Sequence, residues 1–329
     1  MLTPVALIIF NRPDLTQRVF NEIAKAKPAR LFIIADGPRS NRSGEAEKCR
    51  MARAIVDQVD WPCEIQKNYS EVNLGCGLRP STGITWVFEH VDRAIILEDD
   101  VVPDSTFFPF CDELLDGYRD DERIMQICGH NYQLSPRVGE YSYYFSRRSI
   151  CGGGWATWRR AWKHFDFEMK LWPTLRETSF VLDVLEDQSL AEKWTKTFDR
   201  AHSGKPSSSS APTTDYWDYQ WTFAVWCQSG LSICPNRALV SNVGYREDGT
   251  HTKSTDHLWA NLPVAEMEFP LRHPPCVVRN READHFYIAL NKEITSPASD
   301  VHRFTRRLAE LRTAIVGRIL FSKSKSTAI

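Results

Sequence analysis

Three carboxylates stand in a row at Glu98-Asp99-Asp100, directly after the apolar run Ala94-Ile95-Ile96-Leu97. A β-branched run of this kind reads as a buried strand, so the acids fall at its carboxyl end, where α/β sheets bind their ligands. Adjacent carboxylates repel one another, and burying even one without a partner costs several kcal/mol, so the cluster asks for a cation. Oxygen ligands suit a hard divalent ion, Mn2+ or Mg2+. The competing reading is a solvated acidic turn, and the strand context argues against it.

The elements that must position these acids follow from periodicity. Val5–Phe10 and Leu31–Ala35 read as the first two strands, joined by a helix in which Leu15, Val19 and Ile23 recur at helical spacing and Asp14 with Gln17 forms a capping-box signal. Residues 46–59 read as a second helix, 63–67 as a short strand, 83–90 as a third helix and 94–97 as a central strand. Beyond them lie a helix over 104–118, strands over 124–128 and 141–145, a helix over 220–226, and short strands over 231–234 and 238–240. In Gly152-Gly-Gly-Trp-Ala-Thr-Trp-Arg-Arg-Ala-Trp162, the spacing of Trp155, Trp158 and Trp162 predicts one face of a helix after a flexible glycine run. Strands alternating with helices imply an α/β fold with a mixed, mainly parallel central sheet flanked by helices.

Several chemistries are excluded. No G-x-x-x-x-G-K-[ST] or G-x-G-x-x-G occurs, since Gly75-Cys-Gly77 runs into Arg79-Pro80, and there is no G-x-S-x-G elbow. Nine scattered cysteines form no C-x-x-C pair and no zinc spacing, which fits reduced thiols in the cytosol. A formal charge of -1 gives no global pull toward nucleic acid. No stretch reaches the ~18 apolar residues of a membrane span.

Taken together, the early Asn11-Arg12, the strand ending in Asp36-Gly37, the Glu-Asp-Asp triplet, the Gly-Trp segment and Trp217-Asp218 before a polar loop resemble N-acetylglucosaminyltransferase I and its bacterial relatives. The resemblance covers roughly residues 4 to 255. It implies a GT-A-like, Rossmann-like fold and a metal-dependent, inverting transfer of a sugar, N-acetylglucosamine among those implied, from a UDP-linked donor to a glycan or glycolipid hydroxyl. Asp100 would hold the metal, Asp99 would meet the ribose and Glu98 would sit near the donor sugar. Asp36 would contact uracil, Arg12 would belong to the nucleotide pocket, and Arg79 stands where the family has a nucleotide-contacting histidine. Asp218 would be the catalytic base, with Asp215 its competitor and Trp217 an acceptor platform; the plainer reading makes Asp218 a helix cap and the tryptophans core. The loop from Tyr245 to Lys253 would close over the donor, with Arg246, His251 and Lys253 against the diphosphate or, for His251, the metal.

Residues 1–290 are thus expected to form one transferase domain, with a donor-nucleotide half over 1–130 and an acceptor half over 131–290. Residues 203–214 read as a polar low-complexity loop. The tail over 291–329 carries Phe304, Leu308, Leu311, Ile315 and Ile319 between basic residues, and either lies on a membrane surface or docks on the domain. The expected setting is cytoplasmic, with peripheral contact at the inner membrane surface. Two other functions stay open: a carbohydrate-binding protein using its eleven tryptophans for recognition, and a sugar-phosphate nucleotidyltransferase, which normally has a glycine-rich loop where Asn11-Arg12-Pro13 stands.

Overall fold

A computed structural model describes residues 3–131, 133, 141–147, 152–204, 216–247 and 259–287. The strands are β1 (Val5–Ile9), β2 (Arg30–Ala35), β3 (Glu64–Tyr69), β4 (Arg93–Glu98), β5 (Val101–Pro103), β6 (Ile124–Cys128), β7 (Tyr143–Ser146), β8 (Gly154–Trp158), β9 (Leu231–Pro235) and β10 (Val240–Asn242). The helices are α1 (Pro13–Ala26), α2 (Glu45–Ile55), α3 (Gly75–His90), α4 (Phe107–Gly117), α5 (Arg159–Trp162), α6 (Trp172–Leu175), α7 (Phe180–Leu185), α8 (Gln188–Ser203) and α9 (Asp218–Cys227).

Eight strands form one mixed, mainly parallel sheet in the order β3-β2-β1-β4-β8-β6-β9-β7, while β5 and β10 make a separate antiparallel pair. Strands β1 to β4 are parallel, β8 runs against both β4 and β6, and β7 runs against β9. The chain therefore winds outward from β1 in two directions, to β2 and β3 on one side and to β4 on the other. The carboxyl ends of β1 and β4, where the strand order reverses, are the place where open α/β sheets bind their ligands.

The apolar strands lack alternation because both faces of the sheet are covered. Val5, Leu7 and Ile9 of β1 enter one core with α1, α2 and α4, and Ala6 and Ile8 enter the other with α3 and α9. Ile95 and Leu97 of β4 divide from Ala94 and Ile96 in the same way.

Three local expectations are corrected. Trp155 and Trp158 lie on strand β8, not on a helix, and their odd spacing sends them to opposite faces: Trp155 into the core with Trp162, Trp217 and Trp221, and Trp158 into the other. Asp14 is not the N-cap residue; Arg12 is, and Pro13 opens α1, a position where proline's missing N–H costs no hydrogen bond. Helix α3 begins at Gly75, eight residues before the helical pattern, and carries Pro80 inside it. Helix α8 ends at Gly204 in the left-handed conformation. Asp215, His251, Lys253 and the tail over 291–329 lie outside the described residues. Among the described residues no helix is long and apolar enough to cross a membrane.

Candidate active site

The β1–β4 register pairs Ile8 with Glu98, so the triplet emerges beside the turn Phe10-Asn11-Arg12 that leaves β1. The Arg12 side chain reaches back across this gap. Its Nη2 lies 2.5 Å from Asp99 Oδ1 and 3.0 Å from Asp100 Oδ2, and the Phe10 N–H donates to Asp99 Oδ2 at 3.3 Å. Part of the cation that the repelling acids require is therefore supplied by the protein itself. Burial would weaken the guanidinium's charge, but Asp99 and Asp100 override it and hold the group charged.

The acids are unequal. Burial, then Asp100 and Asp99, push the Glu98 carboxyl up to about 8, against the pull of Arg12. Asp99 is raised by burial and held back by Arg12. Asp100 is buried, and its Oδ1 has no hydrogen-bond partner although Oδ2 faces Arg12. A buried carboxylate oxygen without a partner is costly and calls for a ligand. Among the described residues no three His, Cys, Asp or Glu side chains form a metal-holding group. A single carboxylate completed by phosphate oxygens and water is nevertheless the usual environment of Mg2+ in nucleotide sites, so Asp100 fits such an ion.

Two glycines let the backbone close on this point. A Cβ on Gly244 would stand 1.9 Å from Asp100 Oδ2, and Val243 N–H donates to the Asp100 carbonyl at 2.8 Å, so the chain after β10 lies directly on the carboxylate. Gly153 has φ +80°, and a Cβ there would meet Val101 at 2.2 Å; its carbonyl accepts the Glu98 N–H at 2.8 Å. The same chain carries Tyr245, whose phenol burial and Asp100 push up to about 12, and Arg246, which pairs with Asp14 at 2.5 Å.

His130 and Glu45 belong to this region and were not anticipated. His130 follows β6, is buried, and donates from Nε2 to the Gly152 carbonyl at 2.7 Å; burial holds it neutral, down to about 4, with Asp100 pulling the other way. The signal was there, since polar Gly129-His130-Asn131 follows an apolar strand just as the triplet follows β4. Glu45, almost buried at the start of α2, accepts from Asn11 Nδ2 at 2.9 Å and from the Arg39 N–H at 2.7 Å, and pairs with the Arg39 guanidinium. It ties the turn after β1 to the turn after β2, a link between distant segments that no local pattern announces.

Asp36 and Arg79 take inward roles. The Asp36 carboxylate accepts N–H groups from Gly37 at 2.9 Å, Leu74 at 2.9 Å and Gly75 at 3.0 Å, and the Asn73 amide at 3.0 Å, so it clasps the start of α3. Burial raises its pKa, and those donors oppose the rise. Arg79 is 4% exposed and donates to the Ala35 carbonyl at 3.1 Å and to Asn68 Oδ1 at 2.7 Å, pinning α3 to the ends of β2 and β3. Its guanidinium is spent on the interior.

Asp218 opens α9, with Trp217 as the N-cap residue. It lies near enough to Glu98 to oppose that group's ionisation, and burial pushes Asp218 itself up to about 6. The structure thus brings Arg12, Asp99 and Asp100 into contact beside Glu98, with Asp218 within electrostatic reach of Glu98. Trp217 is 6% exposed and stacks on Trp155 at 5.7 Å, so it is core and presents no open platform.

No family model matches this chain, and no curated protein matches it. Among solved structures it is similar to an active-site mutant of LgtC, with 12% identity over 90% of this chain and 98% of that one at a TM-score of 0.38. It is also similar to UDP-glucose pyrophosphorylase complexed with UDP-glucose, with 10% identity over 71% and 90% at 0.34. A third is HddC from Yersinia pseudotuberculosis complexed with GMP-PN, with 7% identity over 47% and 77% at 0.28. Likeness this low carries no argument about function, which rests on the site.

Proposed function

We propose that this chain is a metal-dependent glycosyltransferase that moves a sugar from a nucleotide diphosphate donor, UDP-linked, to a hydroxyl of a glycan or lipid-linked glycan, with inversion. The observation that carries this reading is the buried, unpartnered Oδ1 of Asp100 at the reversal of strand order, with the Asp218 carboxylate within electrostatic reach of Glu98. One carboxylate suits a cation and the other suits a proton, which is the division of labour an inverting transfer needs.

Mn2+ or Mg2+ held by Asp100 would supply positive charge to the departing diphosphate. Arg12 neutralises Asp99 and Asp100, so an anionic donor can approach the strand end. Glu98, at the end of β4 beside Asp99 and Asp100, takes the place near the donor sugar. Asp218 takes the proton of the acceptor hydroxyl as that oxygen attacks the anomeric carbon; near 6, it is ionised at pH 7 and more basic than an ordinary aspartate. Asp36 and Arg79 act through the loops they hold, Leu74–Gly75 and the ends of β2 and β3. His251 keeps its proposed place against the leaving group or the metal. Nucleotidyl transfer would need phosphate-cradling N–H groups after β1, where Pro13 has none to give.

The test is calorimetric titration of UDP with Mn2+ and again with EDTA. Metal-dependent micromolar binding that is lost in Asp100→Ala supports the reading; equal binding in EDTA, or full binding by the variant, refutes it.

A further inference from the structure

The base contact expected of Asp36 is already taken up by the fold. Its Oδ1 accepts the N–H groups of Gly37 and Leu74, each at 2.9 Å, and its Oδ2 accepts the Gly75 N–H and the Asn73 amide, each at 3.0 Å. A carboxylate has about four lone-pair positions, and these donors fill them. A nucleotide must therefore hold its base by other means, and the turns after β1 and β2 supply one.

Arg39 lies four residues beyond β2, and its guanidinium carbon sits over the Phe10 ring, 5.5 Å from the ring centre. Its Nε donates to Glu45 Oε2 at 3.0 Å and its Nη2 donates to Oε1, while its backbone N–H donates to the same carboxylate at 2.7 Å. Glu45, 6% exposed at the side chain, also accepts from Asn11 Nδ2 at 2.9 Å. The guanidinium is thus fixed in place, with its charge balanced and two of its nitrogens engaged. Yet 43% of the Arg39 side chain stays exposed. Held this way it offers a planar surface more than a charge, and guanidinium planes stack on nucleobases. Printed contacts tie this surface to the acids: Phe10, beneath Arg39, gives its N–H to Asp99 Oδ2 at 3.3 Å, and Arg12 joins Asp99 to Asp100. From Arg39 across Phe10 to Asp99 and Asp100, the residues run in the order of base, ribose and metal-bound diphosphate.

We propose that Arg39, layered on Phe10 and clamped by Glu45, is the stacking platform for the base of a nucleoside diphosphate. This rests on the reading of the site as a nucleotide-sugar site.

The test titrates the full chain with UDP and with GDP in the presence of Mn2+, comparing wild type, Arg39→Ala and Arg39→Lys, with thermal melting as the check that each variant folds. The better-bound nucleotide binds about tenfold more weakly to Arg39→Ala, and Arg39→Lys, which keeps the charge opposite Glu45 but not the plane, does not restore it. In saturation-transfer NMR, the signals of the base protons weaken in Arg39→Ala relative to the ribose H1′ signal. Unchanged affinity in Arg39→Ala, full recovery in Arg39→Lys, or a constant base-to-ribose ratio overturns the platform, the last two because they make Arg39 a charge or a loop tether. Any of these results with a wild type that binds nucleotide leaves the donor reading standing, whereas a wild type that binds neither nucleotide overturns both.

Discussion

Replacing Arg12 by Met keeps much of the side chain's volume and removes the charge from between Asp99 and Asp100. Arg12 is 17% exposed at the side chain, and its two partners are 5% and 13% exposed, so water replaces little of the lost attraction. Breaking a buried pair costs about 3 to 5 kcal/mol, and the remaining exposure of Arg12 argues for the lower end, about 3 kcal/mol. At about 2 °C per kcal/mol for a chain of this size, the melting temperature should fall by about 6 °C. The pH dependence identifies the cause. Glu98 and Asp99 have folded-state pKa values raised above their ordinary ones, so they subtract stability at high pH and return it as pH falls from about 8 toward the ordinary carboxylate range. Without Arg12 these values rise further. The gap between Arg12→Met and wild type should therefore be widest near pH 8 and should narrow by pH 5, as read by differential scanning fluorimetry across that range. Added Mn2+ should raise the variant's melting temperature more than the wild type's. A gap that stays constant, or widens on acidification, would refute the argument that Arg12 acts by neutralising the triplet.

Other outcomes follow from the same geometry. Asp218→Asn should leave UDP binding intact and lower kcat by about 10²- to 10⁴-fold, and wild-type kcat should rise with pH through a midpoint near 6, because the base must lose its proton to act; a flat profile from pH 5 to 7 counts against it. Gly244→Ala puts a methyl group 1.9 Å from Asp100 Oδ2, so metal-dependent UDP affinity in calorimetry should drop, with a stability loss of about 1 to 3 kcal/mol in denaturant titration; unchanged affinity would mean that Asp100 is not the metal ligand. Trp155→Ala removes a fully buried ring from the cluster with Trp162, Trp217 and Trp221, and urea unfolding should show a loss of about 3 to 5 kcal/mol.

Local sequence was enough to place β1, β2, β4 and β6, because a strand buried on both faces must be apolar along its whole length and such runs are visible without any partner. It was also enough to put Glu98, Asp99 and Asp100 at a strand's end, since three acids cannot continue a buried run. The same burial hid β8: with both faces covered, Trp155 and Trp158 pack on opposite sides, and their spacing imitates a helix until the flanking β4 and β6 are in place. The start of α3 was equally invisible, because Gly75-Cys-Gly-Leu-Arg-Pro80 reads as loop and its first N–H groups are held by Asp36, 38 and 39 residues away. At the site, the triplet's demand for a cation was legible, but that Arg12 meets part of it and leaves Asp100 Oδ1 unpartnered was decided by the β1–β4 register alone. A sequence records which groups need a partner; only the packing of distant segments determines which partner arrives, because pairing depends on distances of a few ångströms between residues tens of positions apart.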